Sequence, residues 1–193
     1  MESFIREYQI DDVSICDGLI DFFREGLSRQ LTGPGVIGAN GLVDPTFKKS
    51  TDLHFSAIEK LGVPASTYRL DAYMAALGSF VEHYLDDLKI NEHGGTFVLR
   101  YPPQIQWYQP GEGFYAWHAD GVQALCDRAL VITSYLNDVT DGGGTEFFHQ
   151  QHTVEARKGR TAIFPAALTH VHRGVVSPTQ EKYLVTAWLY WEK

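Results

Sequence analysis

Of the residues able to bind metal or move protons, the densest arrangement is Trp117-His118-Ala119-Asp120, with an imidazole and a carboxylate two positions apart. On a strand, period two puts both on one face with Ala119 opposite, so the two can share an ion. The spacing alone is weak evidence. With eight histidines and 24 acids in 193 residues, roughly one His-x-acid match arises by accident. A second source of imidazole lies at Thr169-His170-Val171-His172. Two histidines and a carboxylate make the facial triad of non-haem Fe(II) oxygenases, which leaves adjacent positions open for a co-substrate and dioxygen. Zinc hydrolysis needs only one open position. Period two places His170 and His172 on one face, and only one of them need reach a metal. Lys182 opens the last apolar segment, which runs through Thr186 to Trp188. A cation projecting into an apolar barrel needs an anionic partner to offset its desolvation. A solvated edge lysine is the plainer alternative.

These residues need elements to position them. Ile15, Leu19, Phe22, Phe23 and Leu27 recur at helical spacing over 14–30 behind the cap candidate Ser14. Tyr73, Ala76, Leu77, Phe80, Tyr84, Leu85 and Leu88 do so over 66–88, with Ser66 as the start, and this helix should pack on a sheet. Residues 32–52, with four glycines and two prolines, form a long connection read as a candidate lid. From Thr96 onward, nine short β-rich segments alternate with Gly, Pro and Asp: 96–101, 104–109, 114–120, 129–137, 144–148, 152–158, 160–164, 170–176 and 182–191. The expectation is a mainly β chain with supporting α. It is a barrel or double-sheet jelly roll flanked by N-terminal helices, forming one domain over 1–193 with helical support in 1–92 and the catalytic core in 93–193.

Composition narrows the function. Hydrophobic residues make up 44% of the chain and charged residues 21%, the profile of a globular domain with a core. The net charge of -8, with no basic run longer than a pair such as Lys48-Lys49, gives little grip on nucleic acid phosphates. Cys16 and Cys126 are too few for a disulfide framework, which points to a reducing, cytoplasmic setting. The N-terminus lacks the order of a signal peptide, and no apolar run approaches the roughly 18 residues that span a bilayer, so no membrane role is expected.

Over about residues 95–191 the chain resembles the 2-oxoglutarate and Fe(II)-dependent dioxygenases, within them the prolyl 4-hydroxylase-like branch. The resemblance rests on Tyr108-Gln109-Pro110-Gly111 ahead of His118-Ala119-Asp120, then Tyr135-Leu136-Asn137, Gly142-Gly143-Gly144-Thr145-Glu146-Phe147 and Gly159 through Phe164-Pro165. It ends on a distal His about ten residues before a basic residue. His172 to Lys182 is a step of ten and His170 to Lys182 one of twelve, which favours His172. The resemblance implies a double-stranded β-helix with iron held by His118, Asp120 and His172. It implies 2-oxoglutarate held at its far carboxylate by Lys182 and the Tyr135 hydroxyl, with Tyr108 lining the pocket, although a half-buried strand aromatic explains Tyr108 equally well. Thr186, four strand positions after Lys182, is placed either to line the same pocket or to stand as a buried β-branched strand residue. Ascorbate is a further candidate cofactor, Glu146 a candidate neighbour of the centre, and the glycine run Gly142–Gly144 needs only turn geometry. The implied reaction is hydroxylation of an unactivated carbon with dioxygen, giving succinate and carbon dioxide. The branch favours a prolyl residue of a peptide or protein.

Other readings differ in class. A non-redox metal- or carbohydrate-binding jelly roll keeps the His-x-Asp but has no use for Lys182. A nucleic-acid demethylase would need more arginines than Arg173 near the distal histidine. The same chemistry on a free amino acid or small metabolite would be decided by residues 32–52 with Trp107, Tyr115 and Trp117, which are expected to shape a peptide groove or close over a small molecule.

Overall fold

The computed structural model describes residues 3–192. In chain order these form β1 (Arg6–Gln9), α1 (Ser14–Ser28), β2 (Gly33–Pro34), β3 (Thr51–His54), α2 (Ala57–Leu61), α3 (Leu70–Asp87), α4 (Ile90–His93) and β4 (Phe97–Val98). There follow β5 (Gln104–Tyr108), β6 (Arg128–Tyr135), β7 (Thr145–Phe147), β8 (His152–Val154), β9 (Arg160–Pro165), β10 (His172–Gly174) and β11 (Lys182–Trp191). The antiparallel major sheet runs β1-β9-β6-β11-β5-β3-β2, with β4 also on β11. A smaller sheet, β10-β7-β8, faces it. This is the expected mainly β jelly-roll architecture with helical support.

Period two on β11 explains how two sheets and a helical layer share one chain. Tyr183, Val185, Ala187 and Leu189 point outward into a core shared with α1 and α3, while Leu184 and Trp188 point inward with Val131, Tyr135, Phe147 and Phe164. Helix α1 brings Phe22 and Phe23, both fully buried, onto the outer face. Burial of each such side chain contributes about 1.5–3 kcal/mol. Phe23 meets Tyr183 edge-on at 5.5 Å and Trp107 at 5.9 Å. Gly26 lets α1 approach β3, because a Cβ there would stand 2.6 Å from a Leu53 methyl. The Tyr73 hydroxyl of α3 joins Ser134 at 2.9 Å, and Ser134 joins Thr161 at 2.8 Å, so these three hydroxyls beneath the helix are paired.

Several expectations need correction. Ser14 is not the cap of α1 but its first residue; Asp12 accepts from its backbone N–H at 3.1 Å and its hydroxyl at 2.5 Å. The helix expected from Ser66 starts at Leu70, because Arg69 is left-handed (φ 63°) and divides a 3-10 turn at 65–68 from α3. Residues 114–120 are not a regular strand. They join their neighbours through isolated bridges, Phe114 to Lys48 and His118 to His172. The first half is not helical alone, since β1, β2 and β3 complete the major sheet.

Residues 32–52 are also less loop-like than expected. Their ends are sheet, through β2 on β3 and β3 on β5, and Lys49 N–H and Tyr115 N–H bond across to Gly113 and Phe47 carbonyls at 2.9 and 2.8 Å. A buried ion pair, Lys48 to Asp52 at 2.8 Å, closes the base, with Ser50 donating to the same carboxylate at 2.7 Å. Among the described residues, no helix is long and apolar enough to cross a membrane.

Candidate metal centre

The inner faces of the two sheets and the 114–120 segment converge on one group of ligands. His118, Asp120 and His172 place one ligand atom each within 4.8 Å of one another, and among the described residues they form the one such group of His, Cys, Asp and Glu. The backbone bridge between His118 and His172 sets the spacing, each donating its N–H to the other's carbonyl at 3.0 and 2.9 Å. Each imidazole then has its Nδ1 on a carbonyl two residues back, Ala116 for His118 and His170 for His172, both at 2.9 Å. A carbonyl only accepts, so Nδ1 carries the proton and the Nε2 lone pair is left for a metal. Phe114 stacks on the His118 ring with centroids 3.6 Å apart and fixes its plane.

Asp120 is held from one side. Its Oδ1 accepts from the Trp188 indole N–H at 2.8 Å and lies 3.7 Å from Arg128. Its Oδ2, 3.3 Å from His172 Nε2, is buried without a hydrogen-bond partner. Burial opposes ionisation, but His172, His118, the Trp188 N–H and Arg128 outweigh it and keep the carboxyl below its usual range. Burial, then the adjacent His172, pushes His118 down to about 4, so at neutral pH it is an uncharged ligand. An orphaned carboxylate oxygen between two imidazoles with available Nε2 atoms is the N₂O donor set that suits Fe(II) with open positions.

The same group lines a cavity of about 50 Å³, whose walls include Lys182, Tyr108, Thr145, Gln106, Thr133 and Thr186. Lys182 is 3% exposed, and no carboxylate of the described residues pairs with it. Its ammonium donates to the Gly143 carbonyl at 2.9 Å and lies 4.6 Å from the centroid of the Tyr108 ring. Burial pushes it down to about 8, which leaves it mostly charged at neutral pH. A buried cation with one carbonyl and a ring for company suits an anionic ligand. Thr133 adds a second bare oxygen to the cavity.

The expected site residues are not all placed alike. Tyr108 and Thr186 line the cavity, and the Tyr108 phenol, pushed well up by burial, donates to Gln106 at 2.8 Å. Tyr135 is fully buried, and its hydroxyl meets the Thr145 hydroxyl at 2.6 Å, so it stands one hydrogen bond behind the lining. Trp107 faces the helices and donates to Glu181 at 2.8 Å, not to any groove. Glu146 pairs with Arg173 at 2.8 Å, and Arg173 in turn lies 4.4 Å over the Trp117 ring. Gly143 does more than turn, since its carbonyl holds Lys182. Sequence reasoning missed Phe114, Gln106, Thr133, Thr145 and Arg128. Period two on β5 signals Gln106, in step with Tyr108; Arg128 has no such signal.

His170 lies in a 3-10 turn rather than on the strand, and its side chain bonds Thr169 while its carbonyl orients His172. His170→Ala keeps that carbonyl, so divalent metal affinity measured by calorimetry should stay within about threefold, whereas His172→Ala should lose at least about a hundredfold. The reverse pattern would exchange the two assignments.

Comparison with known proteins agrees with this geometry. Residues 103–190 match the model of the 2OG-Fe(II) oxygenase superfamily. The fold is similar to that of a Pseudomonas putida prolyl-4-hydroxylase (TM-score 0.71, 19% identity, 96% of this chain and 92% of that one). It is similar to viral collagen prolyl hydroxylase from Paramecium Bursaria Chlorella virus-1, solved with 2OG (0.70, 17%, 98% and 97%). A prolyl hydroxylase from Trichoplax adhaerens, solved with a hypoxia inducible factor oxygen degradation domain peptide fragment, is similar too (0.74, 14%, 96% and 83%). No curated protein sequence matches. The metal-ligand group and the buried lysine lie inside residues 103–190, the segment that matches the 2OG-Fe(II) oxygenase superfamily, and the chain carries a fold shared with the prolyl 4-hydroxylases it is similar to.

Proposed function

We propose that the enzyme hydroxylates a prolyl residue of a peptide or protein, with succinate and carbon dioxide as co-products. The observation that carries the reading is the pairing, in one cavity, of the unpartnered Asp120 Oδ2 with the unpaired ammonium of Lys182. That pairing suits a ligand with a chelating keto acid at one end and a carboxylate at the other. The fold shared with prolyl hydroxylases, one of them solved with a peptide, supports the substrate class.

Iron with bound 2-oxoglutarate supplies the oxidising chemistry. The chain's own residues do the rest. His118, Asp120 and His172 hold the ion; Lys182 and the Thr145 hydroxyl, backed by Tyr135, receive the far carboxylate by charge-assisted hydrogen bonds. Val131, Leu184 and Phe114 form apolar wall and keep water from the reacting groups. The backbone bridge from Lys48 to Phe114 lets the base of the 32–52 segment support that wall from behind.

Incubation with Fe(II), 2-oxoglutarate, air and proline-containing peptides should yield succinate in step with a peptide mass gain of one oxygen. Succinate coupled only to a free amino acid or small metabolite would replace the peptide by that substrate. Lys182 generates a second expectation. Because only its charged form binds an anion, and burial has lowered it to about 8, 2-oxoglutarate affinity should be full below pH 8. Above it, affinity should fall by up to about tenfold per pH unit. Lys182→Ala should cost about 2–4 kcal/mol of that affinity and remove its pH dependence in this range. A variant with unchanged affinity would take Lys182 out of the site.

A further inference from the structure

We propose that Trp188 and Arg128 are positioning residues that make Asp120 a one-oxygen ligand, keeping its second oxygen off the metal. The proposal rests on the metal-centre reading and extends it to two residues outside the ligand set. A carboxylate can meet a divalent cation through one oxygen or both. Two-oxygen binding would fill a position that a facial triad must leave open. In this protein the two oxygens of Asp120 are treated differently. Oδ1 takes the indole N–H of Trp188 at 2.8 Å and faces the Arg128 guanidinium at 3.7 Å, while Oδ2 lies bare beside His172.

The device that holds Oδ1 is itself fixed. Arg128 lies 4.0 Å over the Trp188 ring and donates from Nε to the Tyr190 hydroxyl at 3.3 Å. Arg128 begins β6 and Trp188 and Tyr190 stand on β11, where the pairing shifts register between Leu189 and Tyr190 and so sets Tyr190 opposite Arg128. The guanidinium is packed between an indole and a phenol, and its side chain is 16% exposed, so it has little freedom to leave. Rotation of the carboxylate to offer both oxygens would forfeit the indole hydrogen bond and draw Oδ1 away from the Arg128 guanidinium.

The test uses Co(II), whose visible ligand-field band reports coordination number without dioxygen chemistry. Titration of the apoprotein with Co(II) alone is compared for wild type, Trp188→Phe, Arg128→Met and Arg128→Lys, with near-ultraviolet circular dichroism confirming the fold. Trp188→Phe and Arg128→Met should lose band intensity as Oδ1 joins the metal, and should bind 2-oxoglutarate at least about tenfold more weakly, within the range that outer partners command. Arg128→Lys, which keeps the cation, should retain the wild-type band. Wild-type bands in both Trp188→Phe and Arg128→Met would overturn the proposal, as would an Arg128→Lys band as weak as that of Arg128→Met. Wild-type protein that takes up no Co(II) would overturn the metal centre itself, and the proposal with it.

Discussion

The ammonium of Lys182 sits inside a sandwich of two sheets, desolvated and without a counter-ion among the described residues. Such a charge costs several kcal/mol unless something answers it, and the protein's answer is partial: one carbonyl, from Gly143, and the face of Tyr108. Much of the inner architecture serves this compromise. The glycine turn before β7 delivers the carbonyl, β5 delivers the ring, and β11 holds the cation opposite Tyr108 in register. The helical layer seals the outer face of β11, so that its alternate residues can be spent on a polar interior. What remains unsatisfied in the cavity, an ammonium, a carboxylate oxygen and the Thr133 hydroxyl, describes the polarity of the ligand it accepts.

Legibility followed covalent proximity. His118 and Asp120 are two residues apart, and His172 stands ten before Lys182, so local spacing carried their relationship. The strand pattern after Thr96 was readable because β6, β9 and β11 alternate strictly between two buried faces. Strands β1 to β3 were not, since they have two to four residues of mixed polarity and owe their conformation to the strands they join. His118 and Asp120 converge although their segment is no regular strand. The mutual backbone bonds of His118 and His172, between residues 54 positions apart, do what period two was expected to do. That is a tertiary fact, invisible in either segment alone.

The two displaced aromatics show where sequence arguments lose force. Trp107 and Tyr108 are adjacent on β5, so if one faces the cavity the other must face the helices, and alternation with Gln106 settles which. Tyr135 is correctly on an inward position, yet Thr145 stands between its hydroxyl and the cavity. The distinction of one hydrogen bond lies below what residue type and spacing encode. Arg128 is the opposite case, an unremarked residue at the start of β6 that the fold sets beside a metal ligand from another segment.

The central claim is that one cavity takes both a metal on His118, Asp120 and His172 and 2-oxoglutarate anchored at Lys182. Its most direct test is an anaerobic optical titration of the apoprotein with Fe(II) and then with 2-oxoglutarate. The account predicts a weak visible charge-transfer band that appears only when both are present and saturates at one equivalent of each. Folded protein that shows no band, or 2-oxoglutarate binding that is indifferent to the metal, would contradict it.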